Sequence, residues 1–162
     1  MRILTQDQLA KLSAEAASSA RRRKNLNLHP QLSDPIQRLC NAFEPGTYVR
    51  PHRHAGSDRW ELFMALMGAA VVLTFDDAGV VRERVVIAAN GANRGIEIPA
   101  GAWHALAALT VGTVLFEVKP GPYSPLTDKD FAPWAPPENE ASCSQFERWY
   151  RNAQPGDRPP AM

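Results

Sequence analysis

Four residues of this chain have the types and spacing of a metal-binding group: His52, His54, Glu61 and His104. The chain has only four histidines, and two of them stand in His52-Arg53-His54. In a strand, residues i and i+2 point to the same face, so both imidazoles can meet one ion without distorting the backbone. Glu61 follows after six intervening residues, early in the apolar segment Trp60–Met67. By alternation it shares a face with Phe63, Ala65 and Met67, while Trp60, Leu62, Met64 and Leu66 point the other way. A carboxylate on an apolar inner face is costly unless it is paired or metal-bound. His104 comes from a separate stretch, in which Pro99 and Gly101 form a tight turn that sets the strand after it. Imidazole with carboxylate suits zinc, iron, nickel, copper or manganese. Such a set leaves coordination positions open, where an ion can polarise a carbonyl or acidify a bound water.

The elements that must hold these residues are short. Thr5 to about Ala20 reads as a helix, with Thr5 and Gln8 as a capping box and Leu9, Leu12 and Ala16 as a thin apolar stripe. The narrow stripe predicts a helix lying on the outside of a larger body. A basic run, Arg21 to Lys24, and a turn-rich stretch, Asn25 to Pro35, follow. Strand-length apolar segments then run over Trp60–Met67, Ala69–Phe75, Val80–Ile87, Gly95–Ile98, Ala102–Leu109 and Thr113–Val118, separated by turn residues. That pattern predicts an antiparallel sandwich or barrel and argues against alternating βαβ units. After Pro120 the chain is proline-rich and cannot supply an inner strand. It still carries Tyr123, Phe131 and Trp134, which predicts an ordered strap packed over the barrel. Ser142–Asn152 reads as a final helix, with Ser142 and Gln145 as a capping pair and Phe146, Trp149 and Tyr150 on its docking face. One structural domain is expected: residues 1–35 as helix and basic loop, 36–120 as barrel, and 121–162 as strap, helix and tail.

Composition narrows the classes. A chain of 162 residues fits one domain with its own core, and a formal net charge of +1 gives no global field toward nucleic acid or an anionic membrane. The two cysteines, Cys40 and Cys143, are far apart and in no metal-knuckle spacing, so a reducing, cytoplasmic setting is the expectation. No apolar run is long enough to span a bilayer and no secretory signal pattern opens the chain.

The motif spacing carries a family resemblance. Gly46, five residues, His52-x-His54, then Glu61, six residues and Gly68 resembles the first cupin motif. Pro99-x-Gly101-x-x-His104 resembles the second. With Arg21–His29, Asp34–Phe43 and Lys119–Pro136, nearly the whole chain is similar to cupin-fold metalloproteins of the WbuC type, which are associated with O-antigen (lipopolysaccharide) synthesis genes. The resemblance implies a mainly β fold: a small cupin barrel (double-stranded β-helix or jelly roll) with an N-terminal and a C-terminal helix. It also implies one divalent transition metal ion (Zn, Fe, Ni or Mn) near one mouth, on His52, His54, Glu61 and His104. The loop between His54 and Glu61 is longer than the common pattern, which leaves Glu61 as either a direct ligand or a residue supporting the ligands. Ala108 replaces a frequent asparagine, so no further polar ligand is expected there.

Under the resemblance, Arg23 and Lys24 become candidates for holding a phosphate or other anion. His29, Phe63, Tyr123 and Lys129 become candidates for lining a small-molecule site, if the terminal segments fold over the mouth. No general base is assigned. Three functions follow. One is metal-dependent isomerisation or epimerisation of a sugar or nucleotide-sugar intermediate of surface polysaccharide synthesis. The others are a mononuclear non-haem iron dioxygenase-like reaction, and ligand sensing without turnover. A small-molecule ligand and a homodimer are expected as partners, and nucleic acid and membrane are not.

Overall fold

The structure is a computed structural model and describes residues 1–54 and 56–162. Helix α1 (Gln6–Ser18) begins at Thr5, whose hydroxyl accepts from the Gln8 N–H while the Gln8 side chain accepts from the Thr5 N–H. These two bonds satisfy donors that a helix start otherwise leaves open. The strands are β1 (Arg23–Asn27), β2 (Ile36–Phe43), β3 (Glu61–Met67), β4 (Ala69–Phe75), β5 (Val81–Ala88), β6 (Gly95–Ile98), β7 (Trp103–Ala108) and β8 (Thr113–Pro120). Helix α2 spans Cys143–Asn152. Among the described residues the strands form two antiparallel sheets, ordered β1-β2-β8-β3-β6 and β5-β4-β7. The fold is mainly β, with one helix before the sheets and one after them.

Burial explains the composition of the strands. Phe63, Ala65, Ile98 and Leu115 of the larger sheet meet Ala70, Val72, Ile87 and Leu106 of the smaller one, and this is the barrel interior. Strand β3 alternates as expected: Glu61, Phe63 and Ala65 are buried, while Met64 and Leu66 are exposed. Strands β4 and β7 do not alternate, because both faces of their sheet are covered. Their outer face carries Val71, Leu73, Phe75, Ala105 and Ala107, packed under Ala132, Ala135, Phe146 and Tyr150. The strap and α2 therefore complete the core. Helix α1 lays Leu9, Leu12 and Ala16 on Cys40, Ala42 and Val114 of the larger sheet. Gly68 turns the chain from β3 into β4 with φ +65°, where a Cβ would lie 2.6 Å from the Thr113 hydroxyl. Only glycine fits that crossing without strain.

Three local expectations change; the first is that β2 lies outside the strand-length segments read from the sequence, because Gln37, Arg38 and Asn41 interrupt its apolar run. The Arg21–Lys24 run and the stretch after it contain strand β1, which pairs with β2 from Arg23↔Phe43 to Asn27↔Leu39. Its hydrogen-bonded edge and the packing of Leu26 near α1 hold a polar strand that lacks apolar alternation. Ser142 makes no side-chain cap on α2; it is already helical, at φ −69° and ψ −16°. The docking of Phe146 and Tyr150, both fully buried, holds that helix instead. Among the described residues no helix is long and apolar enough to cross a membrane.

Candidate metal centre

The four residues reach one point from opposite layers. His104 is the second residue of β7, and the turn before it is set by Gly101 at φ +78°, whose N–H donates to the His54 carbonyl. His52 lies beside β7 and exchanges both backbone bonds with His104: His52 N–H to His104 O at 3.1 Å and His104 N–H to His52 O at 2.9 Å. Such a pair places its two side chains on one face, close together. On the other side of His52 the chain bridges to Phe131, with Ala132 N–H donating to Pro51 O and Arg53 N–H to Asp130 O. Glu61 enters from the larger sheet, at the start of β3, paired with Ile98. One potential ligand atom from each of His52, His54, Glu61 and His104 can be chosen so that all lie within 4.8 Å of one another. Ligands held at ~2.1 Å from a single ion are at most ~4.2 Å apart, so small side-chain adjustments close the set.

The hydrogen bonding of the rings favours a cation. Nδ1 of His52 lies 3.0 Å from the Arg50 carbonyl, and Nδ1 of His104 lies 3.0 Å from the Ala102 carbonyl. A carbonyl can only accept, so both Nδ1 atoms carry the proton and both Nε2 lone pairs face the cluster. This is the arrangement in which backbone carbonyls orient metal-binding imidazoles. His54 Nε2 and His104 Nε2 lie 3.0 and 2.9 Å from the Glu61 carboxylate oxygens. Neither nitrogen makes an aligned hydrogen bond, and Glu61 Oε2 is likewise buried without a partner. Acceptor atoms this close need positive charge between them. An N–H proton would point off the line, whereas a metal ion held by His52, His54, Glu61 and His104 would supply that charge. The residues present therefore fit a divalent transition metal, and the donor set could hold one.

The electrostatics agree. Burial, with the neighbouring His104, pushes the His52 imidazole down to about 3, so it stays neutral at ordinary pH. Burial alone would raise the Glu61 carboxyl; in the metal-free site a ring proton of His104 or His54, with the charge of Lys119, outweighs it and holds the group well below the usual carboxylate range. Lys119 stands 2.9 Å from Glu61 Oε1 and 2.6 Å from Glu117 Oε1. Burial would lower its ammonium, and Glu117 and Glu61 together reverse this and raise it. Burial raises Glu117, against the attraction of Lys119. Asn41 donates to the other oxygen of Glu117. A buried carboxylate–ammonium–carboxylate chain thus runs from the candidate centre into the barrel.

The residues expected to line a ligand site separate. Tyr123, half exposed on the strap, lines an opening of about 160 Å³ with His52, His54 and Glu61. Phe63 and Arg23 line an inner chamber of about 150 Å³ on the other side of the same cluster. Arg23 also pairs with Glu138 at 2.5 Å, so its charge is already engaged. Lys24 is exposed on the opposite face of β1, and Lys129 is exposed on the 3-10 turn Asp128–Asp130; neither reaches these two spaces. His29 is buried and lies in a third cavity, with Tyr123 and Lys119. Sequence reading missed Lys119, Glu117, Asn41 and Arg59. Glu117 and Lys119, two charges at i and i+2 ending an apolar strand, were a usable signal. Arg59 anchors the strap, donating to the Pro120 and Pro122 carbonyls.

Solved structures share this architecture. A cupin superfamily protein of Desulfitobacterium hafniense superposes with TM-score 0.51 at 18% identity, covering 74% of this chain and 96% of that one. The TT1209 protein of Thermus thermophilus superposes with TM-score 0.50 at 21% identity, covering 74% and 97%. One domain-sized part of Bacillus subtilis oxalate decarboxylase superposes with TM-score 0.49 at 18% identity, covering 68% of this chain and 28% of that one. The fold is that of the cupins. No curated protein matches the sequence significantly. Residues 4–87, more than half of the chain, match the model described as Domain of unknown function (DUF6016), and the chain belongs to that family.

Proposed function

We propose that His52, His54, Glu61 and His104 hold one divalent transition metal ion, and that the protein binds or transforms a small oxygen-rich molecule there. The observation that carries this reading is the convergence of buried, unpartnered imidazole and carboxylate atoms from both sheets onto one point. When bound, such an ion polarises a carbonyl or acidifies a water. The chain's own residues do the rest. The Arg50 and Ala102 carbonyls orient two imidazoles. Before an ion binds, Lys119 holds the Glu61 carboxylate in place. Pro122, Tyr123 and Leu126 of the strap line the opening. The resemblance to the WbuC type supports a sugar or nucleotide-sugar intermediate of surface polysaccharide synthesis as the molecule.

Elemental analysis of protein purified without added metal tests the centre. About one ion per chain is expected, largely lost in both His52→Ala and His104→Ala. Metal content unchanged in both variants overturns the assignment. Glu61→Gln keeps its ion only if Glu61 acts from beside the ligands. Solvent deuterium entering a sugar under anaerobic conditions supports isomerisation, and oxygen uptake with Fe(II) redirects the reading to oxidation.

A further inference from the structure

The cavity that holds His29 adjoins the candidate metal centre, but none of the centre's four residues lines it: Lys119 and Tyr123 line both it and the opening, and Asn25, Glu117 and Lys119 line both it and the inner chamber. Its volume is about 370 Å³, within the ~300–1,000 Å³ range of small-ligand sites. Strands β1, β2 and β8 and the strap enclose it. Buried His29, Gln37 and Glu117 contribute to its lining, exposed Asn25, Asn27 and Tyr123 stand at its edge, and Leu32 and Leu39 give it an apolar side.

His29 fixes part of the chemistry. The Arg38 carbonyl already accepts from the N–H groups of Leu28 at 2.7 Å and His29 at 3.3 Å. The Arg38 N–H in turn donates to His29 Nδ1 at 3.1 Å. The Arg38 carbonyl also lies only 3.0 Å from Nδ1, so the Arg38 backbone engages this nitrogen in either tautomer, while Nε2 is buried and has no partner. A buried polar atom left without a partner is costly whether it donates or accepts. Facing the same space are amides, a phenol and a carboxyl, a mixture of donors and acceptors. The one cation, Lys119, is already shared between Glu61 and Glu117. A charged anion would find no free counter-charge among the described lining residues. Hydroxyl groups both donate and accept, and a carbon ring suits the leucine side.

We infer that this cavity is a second binding site, for an uncharged polyhydroxylated ring molecule of monosaccharide size. It does not depend on the metal reading, and the test separates the two. Methyl α-D-glucopyranoside, methyl α-D-mannopyranoside and methyl N-acetyl-β-D-glucosaminide are titrated into metal-free, isotope-labelled full-length protein, followed by NMR of backbone, Asn side-chain and His ring signals. At least one glycoside is expected to shift Asn25, Asn27 and His29 together. Asn27→Leu, at an exposed rim position, should weaken that binding about two- to tenfold. His29→Phe should do the same, and His104→Ala should leave it unchanged. Absence of shifts with all three glycosides overturns the site. So does binding that Asn27→Leu leaves intact, or shifts confined to His52 and His54. Tighter binding of methyl glucuronoside than of its uncharged counterpart overturns the ligand class.

Discussion

Lys119 and a metal ion are alternative cations for the same carboxylate, and replacing Lys119 with methionine tests this directly. The side chain keeps its length and loses its charge. Glu61 and Glu117, whose side chains are only 3% and 7% exposed, then face each other without the ammonium that lies 2.9 and 2.6 Å from them. Removing one partner of a buried ion pair costs about 3–5 kcal/mol, because the remaining charge stays buried. For a domain of this size each kcal/mol moves Tm by ~2–4 °C, so metal-free Lys119→Met should melt about 6–20 °C below metal-free wild type. The deficit should shrink as pH falls toward the ordinary carboxylate range. The folded variant takes up a proton more readily than the unfolded chain, so its stability is lost as pH rises. Adding Zn(II) or Mn(II) in excess should restore stability in the variant more than it raises it in wild type, since only the variant presents uncompensated carboxylates. An excess of a hundredfold over Kd is worth about 2.7 kcal/mol, which differential scanning fluorimetry resolves easily. Equal melting of the two chelated proteins would refute the charge argument. An equal metal-induced rise in both would refute the competition between Lys119 and the ion.

Acid should also unsettle the native state through His52. Its folded value, about 3, lies below that of a free imidazole near 6.5, so the unfolded chain binds the proton first. Stability contributed by this neutral ring is full above about pH 6.5 and falls by up to ~1.4 kcal/mol per pH unit below it, down toward pH 3. Urea titrations of metal-free protein at pH 7 and 5 should show this loss, and His52→Asn should flatten it; the same slope in the variant assigns it elsewhere. Phe146→Ala empties a fully buried position among Tyr48, Trp149 and Tyr150 and should cost about 3–5 kcal/mol by the same assay, with metal stoichiometry retained.

What could be read from residues alone follows from where each signal resides. The capping box at Thr5 and Gln8 is local, and so is the alternation that turns Glu61 inward with Phe63 and Ala65; both stand in the structure. Strands β3 to β8 announce themselves through continuous apolar segments, within a residue or two at their ends, whereas β2, flanked by β1 and β8, does not, because Gln37, Arg38 and Asn41 interrupt its apolar run. Strand β1 does not, because Arg23-Lys24-Asn25-Leu26-Asn27 is a mostly exposed edge held by backbone bonds to β2. Its asparagines acquire meaning only beside the residues they face. The Glu61–Lys119–Glu117 chain was hidden for a related reason: 58 residues separate Lys119 from Glu61. Three histidines in two motifs could be brought to one ion by spacing. The cation that pairs with their carboxylate is placed only by how β3 and β8 pair, Leu62 opposite Val118.

The backbone at His52 is clasped between β7 and the bridge to Phe131. During synthesis, residues 51–53 leave the ribosome long before either flank does. They acquire one neighbour with His104 and the second only when the strap follows. A nascent chain ending at β8 would carry all four candidate ligands, yet its first histidine pair would sit on an unclosed edge. Emergence of the strap as far as Phe131 is then the event that closes that edge, at ~5–20 residues per second. Truncations behind Pro120 should accordingly fail to retain an ion even though every candidate ligand is present.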